Sequence, residues 1–252
     1  MKQTICTLFI LALLLAPAAV FAQDDDFDHK IEKIDWLWTK RSGDTKAAQE
    51  AVRLAEEAYG LKPGYEAAWR AARACFWIAD RSEDRDVDQK WGKRGYEWGE
   101  KAIKAKPSAP EGYYYYAISL AEYGKGISIV SALAKGLGGD FEKNIGKAIQ
   151  MKPGLEHAGP NRALGRYYYA IPWPKYDSKK SEENLKKSLA LAPNFGRTYY
   201  YLAQLYAKEK QYDKAREILQ KLQTISNPTD SVWENNYYKS VGKDLLNELK
   251  DK

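Results

Sequence analysis

The sequence predicts an all-α protein in which about five helix pairs stack into a superhelix and a C-terminal helix caps the stack. Prolines end helix-like segments at a nearly regular spacing. Small and large apolar residues recur within those segments at helical intervals. Alanines at the expected helix crossings, together with the proline stops, leave no room for a sheet.

The proline spacing defines the repeat. The segments AEEAYGLKPGY, GEKAIKAKPSA, IGKAIQMKPGL and LKKSLALAPNF each run into a proline, and these prolines are Pro63, Pro107, Pro153 and Pro193. They lie 44, 46 and 40 residues apart, and Pro228 follows 35 residues later. The last interval is close to the tetratricopeptide period of about 34 residues. We therefore expect a tetratricopeptide-type helical-hairpin superhelix.

The final repeat, GRTYYYLAQLYAKEKQYDKAREILQKLQTISNP, shows the hairpin pattern in most detail. Tyr199 and Tyr206 stand at the large aromatic positions of its first helix. Ala215 is the small residue where the two helices should cross, and Leu219 is the large residue one turn further on. Small residues let helix backbones approach, and large ones fill the space beside them.

The longer intervals indicate insertions within a single helical-repeat domain that covers residues 23–252. The extra residues lie near 78–89, 124–140 and 171–177. In the second insertion we expect a short extra helix, with a turn at the glycines and Asp140 as the N-cap of the next helix. This short helix packs in the core, or else it forms a gate over the groove or an oligomer contact. In the third insertion we expect Trp173 to fill the gap between the two helices of its own hairpin rather than to lie at the rim as an anchor.

Residues 1–22 have the pattern of a secretory signal peptide. One lysine precedes an apolar run that Pro17 interrupts, and small residues stand before Gln23. The cysteine of a bacterial lipoprotein signal is absent after this run, because Cys6 lies before it. We expect a periplasmic, unlipidated protein that is cleaved after Ala22.

The composition of residues 23–252 excludes several classes of function. With Lys2 removed there are 39 basic and 34 acidic residues, a net charge of +5, and the two signs are interleaved rather than blocked. We therefore expect no nucleic-acid partner, and no apolar run long enough to span a membrane occurs. The two histidines have no second ligand at metal spacing, and no nucleophile elbow occurs. Cys75 is expected to be a buried thiol. We predict no catalysis, metal or cofactor.

Tyrosine runs at 113–116, 167–169 and 199–201 raise the question of core or site. Successive helical residues turn by about 100°, so each run must straddle several faces. The repeat phase places Tyr113 and Tyr199 inside their hairpins and their neighbours on the concave face. The predicted concave groove, aromatic and cationic, comprises Trp36, Trp69, Arg73, Tyr114, Arg162, Arg166, Tyr169, Tyr200 and Gln204. It suits a protein segment or a small acidic ligand. Alternatively, the tyrosines pack between repeats and the arginines are solvated or neutralise Glu111 or Glu122.

The segment HAGPNRALGRYYYAIPWPKYDSKKSEENLKKSLALAPN resembles the T-component family of TRAP transporters. The resembling features are Gly159 with Pro160, residues 162–166, the loop at 172–174 and the helix end at 190–193. The insertion at 127–139 is also similar, and the likeness extends over about residues 45–225. The resemblance implies a non-catalytic α-helical superhelix that engages an extracytoplasmic solute-binding protein.

Three functions follow as hypotheses. The first is an exported helical-repeat protein that binds another protein and supports a TRAP-type solute transporter. The second is a general periplasmic scaffold for envelope protein assembly. The third is an enzyme whose site the motifs do not reveal.

Overall fold

The computed structural model describes residues 24–229 and 231–252, so the segment assigned as a signal peptide lies outside the described residues. The described residues form twelve helices and no strand, which confirms the all-α prediction. The helices are α1 (24–39), α2 (Lys46–Leu61), α3 (Tyr65–Asp80), α4 (Arg85–Ala105), α5 (Pro110–Ile127), α6 (Ile129–Ala134), α7 (Leu137–Met151), α8 (Leu155–Ala170), α9 (Ser178–Leu191), α10 (Gly196–Lys208), α11 (Tyr212–Thr224) and α12 (Val232–Glu248).

The helices pair as the repeat predicts. The hairpins are α1/α2, α3/α4, α5/α7, α8/α9 and α10/α11, and α12 caps the stack by packing on α10 and α11. Ala215 and Leu219 are fully buried, as the register of the last hairpin requires. None of the helices in the described part of the chain has the length and apolar character needed to cross a membrane.

The repeat prolines determine where four helices end. Helices α2, α4, α7 and α9 each end two residues before Pro63, Pro107, Pro153 and Pro193, respectively. The residue between each helix and its proline has an extended backbone, with φ between −139° and −156°. This follows because a proline disfavours the α conformation of the residue before it.

The tyrosines at the shared repeat phase make the same contact. The Tyr113 hydroxyl donates to the carbonyl oxygen of Pro107 at 3.1 Å, and the Tyr199 hydroxyl donates to that of Pro193 at 2.8 Å. Each tyrosine thus ties the first helix of one repeat to the turn that ends the preceding repeat.

The run of four tyrosines is accommodated because α5 has neighbours on every side, namely α3, α4, α7 and α8. Tyr114 faces α8, where its ring carbon Cζ lies 2.8 Å from the position of a Cβ on Gly159. The Tyr115 ring stacks on Trp69 of α3, with centroids 6.0 Å apart. Tyr116 meets Tyr96 of α4 edge to face. The run therefore belongs largely to the core.

Helices α4 and α5 lie in close contact along a stripe of small residues. Gly92, Gly95 and Gly99 all face α5, and a Cβ on Gly99 would lie 2.7 Å from the Cα of Tyr116. Gly126 of α5 lies against Gln89 of α4 in the same way. Glycine here removes the side chain that would otherwise separate the two backbones.

Three local predictions can be compared with the structure. Cys75 is buried, has no disulfide partner within residues 24–229 and 231–252, and burial raises its thiol pKa, as expected for a structural thiol. The prediction of an N-cap at Asp140 is wrong, because α7 begins at Leu137 after Gly136, whose φ of 78° is left-handed. The prediction that Trp173 plugs its hairpin is also wrong. Its side chain is 85% exposed, and Ile171 is buried in the same loop instead.

The apolar interior is divided into two main clusters. One comprises buried residues of α1–α5, α7 and the start of α8, between Ile34 and Leu155. The other comprises buried residues of α9–α12 and the adjoining turns, between Leu185 and Leu249. Helix α8 joins them, because it packs on α7 and α5 on one side and on α9 and α10 on the other.

Candidate functional site

A cavity of about 480 Å³ is lined by residues of both apolar clusters. Its volume is within the range of ligand pockets, roughly 300–1,000 Å³. Aromatic and apolar side chains form much of the wall, including Phe76, Ile118, Phe141, Phe195 and Tyr238. Charged side chains also line it, and these are Arg41, Asp80, Arg81, Glu122, Lys125, Glu156, Arg162, Arg166, Arg197 and Glu234.

Three residues of the predicted groove line this cavity, namely Tyr114, Arg162 and Arg166. Burial raises the pKa of the Tyr114 phenol to about 12, so it is protonated at neutral pH and can donate a hydrogen bond. Tyr114 and the two arginines come from different hairpins, and the superhelix brings them together.

Arg162 is fixed by an unusual start of α8. Glu156, His157 and Ala158 all have left-handed backbone angles, with φ of 46°, 55° and 58°. Such angles are costly for residues with a Cβ and persist only where surrounding contacts hold them. The Arg162 guanidinium supplies such contacts, because it donates to the carbonyl oxygen of His157 at 2.9 Å and to that of Glu156 at 3.3 Å. The guanidinium also lies over the ring of Phe195, at 3.9 Å.

Arg166 lies one helical turn further along α8 and is held by α10. It donates to Oε1 of Gln204 at 2.8 Å, and Gln204 in turn donates to the hydroxyl of Tyr200 at 3.1 Å. Its guanidinium lies 4.4 Å from the ring centre of Tyr169 and 4.6 Å from that of Tyr201. Tyr169, Tyr200 and Gln204 do not line the cavity, but they position an arginine that does.

Trp69 and Arg73, the remaining predicted groove residues of α3, belong to a separate cluster. Arg73 is buried and donates to Asp35 at 2.6 Å, so its charge is neutralised within the chain. Its guanidinium lies 4.7 Å from the ring centre of Trp69. Trp36 is 49% exposed on α1 and does not line the cavity. The pairing of Arg73 with Asp35 ties α1 to α3.

Arg162 and Arg166 have no carboxylate within 4 Å among the described residues, although both line the cavity. The suggested alternative partners are engaged elsewhere. Glu111 accepts from the hydroxyl of Tyr65, and Glu122 pairs with Lys125 at 2.7 Å. Burial raises the pKa of Glu122 to about 7, against the opposing attraction of Lys125. The two arginines are therefore cations of the cavity wall whose hydrogen-bond acceptors are neutral.

A cluster of buried ion pairs that was not predicted from the sequence also lines the cavity. Arg197 donates to both carboxylate oxygens of Asp80 at 2.9 Å and to Glu234 at 2.8 Å. Arg81 donates to Glu234 at 3.0 Å, and Arg41 lies 3.9 Å from the same carboxylate. Burial opposes ionisation of Glu234, but the attraction of Arg197, Arg81 and Arg41 outweighs it and lowers the pKa to about 2. We call these five residues the Glu234 cluster.

A family model described as "Regulator of microtubule dynamics protein 1-3" matches residues 30–173, which is more than half of the 252-residue chain. The chain belongs to this family. A second family model, described as "Tetratricopeptide repeat", matches residues 177–233 of the same chain. The two models adjoin within the α8–α9 loop.

Two curated relatives carry the name "Regulator of microtubule dynamics protein 3". The protein from Rattus norvegicus is 22% identical over 239 residues, which cover 85% of this chain and 49% of the rat protein. The protein from Mus musculus is 23% identical over 179 residues, which cover 69% of this chain and 37% of the mouse protein. The chain thus spans about half the length, or less, of the curated relatives it matches.

Solved structures place this family member in the tetratricopeptide-like fold. TTC0263, a thermophilic TPR protein of Thermus thermophilus, has a TM-score of 0.62 at 16% identity, and the match covers 88% of this chain and 98% of TTC0263. Pseudomonas aeruginosa pilF has a TM-score of 0.58 at 16% identity, and the match covers 91% and 94%, respectively. At these identities the likeness shows the fold alone.

The resemblance to the T-component family of TRAP transporters is wrong, because the matching family models are the two described above. The residues that carried it explain the error. A small residue at a helix crossing and a proline after a helix are requirements of helical hairpins in general. They report the architecture and do not distinguish one family with that architecture from another.

Proposed function

We propose that this protein is a non-catalytic binding module that takes an acidic segment of another protein into its central cavity. One observation carries the proposal. Arg162 and Arg166 line the cavity and have no carboxylate within 4 Å among the described residues, whereas Arg81 and Arg197 are paired with carboxylates. Guanidinium groups bind carboxylates through a planar fork, so these two arginines favour an acidic partner.

The surroundings of the two arginines support the proposal. Both guanidiniums are already held over aromatic rings, so little side-chain freedom is lost when a ligand binds. Tyr114 adds a neutral hydrogen-bond donor beside them, and the apolar wall can receive side chains next to an acidic group. A small acidic molecule presents the same chemistry and is the alternative ligand.

We propose that the protein is exported, on the basis of the signal-peptide pattern in residues 1–22. Regulation of microtubule dynamics is named for the rat and mouse proteins, of which this chain spans half or less. A scaffold role in envelope protein assembly is compatible with the same site.

Photo-cross-linking in the periplasm of bacterial cells tests the proposal. p-Benzoylphenylalanine replaces Ala170, an exposed residue of the cavity wall, or Lys143, an exposed residue of α7 that does not line the cavity. We expect an adduct with another polypeptide at position 170 and none at position 143, in periplasmic protein whose N-terminus is Gln23. An excess of a glutamate-rich peptide should compete, and a lysine-rich peptide should not.

The matched variant is Arg166→Gln, which keeps a polar side chain on α8 but removes the cation. Loss of a charged hydrogen bond is expected to weaken binding, and so to lower the yield of adduct, by about tenfold or more. Equal adducts at positions 170 and 143, or an adduct that Arg166→Gln leaves unchanged, would contradict the proposal. Arg162 is a poorer choice for this test, because it also holds the left-handed turn at the start of α8.

A further inference from the structure

The Glu234 cluster joins the two halves of the superhelix across the cavity. Asp80 and Arg81 lie at the end of α3, in the half that contains the first apolar cluster. Arg197 lies on α10 and Glu234 on α12, in the half that contains the second. The chain between Arg81 and Arg197 is long, so these contacts close a ring of helices rather than stabilise one hairpin.

The contacts shown between the halves at the Glu234 cluster are ion pairs, with one aromatic ring beside them. Trp233 of α12 lies against Gly43, where a Cβ would be 2.9 Å from its ring carbon Cζ2, and the guanidinium of Arg81 lies 5.0 Å from the ring centre. Among the described helices, α3 does not pack directly on α10 or α12, whereas α8 packs on helices of both halves. The halves thus share a packed joint at α8 and are linked elsewhere by long side chains that reach from the end of α3 to α10 and α12.

The closed side also contains a buried polar atom that lacks a partner. Nε of Arg81 has no hydrogen-bond partner among the described residues. A buried polar group without a partner is destabilising relative to a solvated one. Opening this side would return this atom to water, so it favours the closed arrangement less than a paired group would.

The joint at α8 has the properties of a hinge. The three left-handed residues 156–158 lie at its start, directly after Leu155, the last buried residue of the first cluster. Backbone held in sparsely populated conformations occurs where a segment can change its arrangement. The segment is held by the hydrogen bonds from Arg162, a residue that lines the cavity.

We propose that the two halves separate by turning about α8, and that the Glu234 cluster is the latch that keeps the cavity closed. A partner segment enters while the latch is open, and closure then brings the cavity walls around it. This inference rests on the proposed function only for what enters the cavity, because the opening itself is an equilibrium of the chain alone.

Spin-label distances measured by double electron–electron resonance test the latch on the full chain without a partner. The label pair Glu83→Cys and Asn236→Cys reports across the latch, and the pair Glu83→Cys and Glu97→Cys reports within the first half. All three positions are exposed. The background carries Cys6→Ser, and Cys75 stays unlabelled because it is buried.

Glu234→Gln is the decisive variant, since it removes the charge that Arg197, Arg81 and Arg41 share and keeps the side-chain shape. We expect it to add a longer component to the 83–236 distribution and to leave the 83–97 distribution unchanged. An unchanged 83–236 distribution would overturn the latch, and broadening of both pairs would indicate general loosening and would also overturn it. Should Glu234→Gln not fold, Trp233→Ala removes the ring seated on Gly43 without removing a charge, and the same two outcomes apply.

The two proposals can fail separately. Absence of a cavity-specific adduct in the cross-linking experiment would leave the distance measurement intact, because that measurement contains no partner. A latch that does not open would leave a specific adduct to be explained by entry of the partner segment while the Glu234 cluster stays intact.

Discussion

Replacement of Arg197 by methionine is expected to lower the free energy of unfolding by about 3–5 kcal/mol at neutral pH. Arg197 is buried and donates to Asp80 and Glu234, both of which are buried or nearly so. Its removal leaves two carboxylates in a low-dielectric site with less positive charge to balance them. Urea denaturation of the two proteins at pH 7 measures the difference.

The control is Arg53→Met. Arg53 also pairs with two carboxylates, Glu50 and Glu57, but all three side chains are exposed on α2. Solvent screens such pairs, so we expect little change in stability. Similar losses in the two variants would mean that burial does not give the Glu234 cluster its importance.

The loss of stability in Arg197→Met is expected to depend on pH, because Arg197 lowers the pKa of Glu234. The folded-state pKa of Glu234, about 2, lies below its ordinary value of 4.5. The stabilisation from this group is therefore complete above about pH 4.5 and is lost as the pH falls through about 2. Without Arg197 the loss should begin at a higher pH. The stability difference between the variant and the parent protein should consequently shrink as both approach pH 2.

Gly92→Ala is expected to destabilise the protein by at least about 2 kcal/mol, although it adds only one methyl group. A Cβ at this position would lie 2.8 Å from the Cα of Tyr123 and closer still to its backbone nitrogen. Backbone cannot rotate away as a side chain can, so α4 and α5 must separate. Those two helices form one of the main contacts of the first half, and thermal unfolding should report the loss directly.

Gly146→Ala is the matched control, and we expect it to change stability in the opposite direction. Gly146 lies inside α7, and a Cβ there would have no atom within 4 Å. Alanine should therefore raise stability by about 0.5–1 kcal/mol through helix propensity alone. Destabilisation by both substitutions would contradict the account of the α4–α5 contact.

The hairpins could be predicted well from the sequence because the determinants of a hairpin are local. The prolines stop helices two residues earlier, and Tyr113 and Tyr199 make the same contact at the same repeat phase. Both signals lie within a few residues of the structure they determine. Helical periodicity also grouped Tyr114, Arg162 and Arg166 on one predicted face, and all three line the cavity.

The rest of the site depends on features that periodicity does not report. The pairing of Asp80 with Arg197 requires the summed rotation of several hairpins to bring distant residues together. The left-handed residues 156–158 at the start of α8 are not glycines, so their identity does not indicate the turn, and two of their carbonyl groups accept hydrogen bonds from Arg162. The glycines of α4 were a readable signal, because their spacing of three and four residues places them on one helix face.

The central claim is that an acidic segment binds inside the cavity, and indole N–H signals in NMR spectra test it most directly. Trp38 and Trp77 line the cavity, whereas Trp173 lies exposed in the α8–α9 loop and does not. Single Trp→Phe variants assign the three signals, and a glutamate-rich peptide is titrated into the labelled full chain. The account predicts shifts for Trp38 and Trp77, a constant Trp173 signal, and loss of the shifts in Arg166→Gln. A shift of Trp173 alone, or shifts that persist in Arg166→Gln, would contradict it.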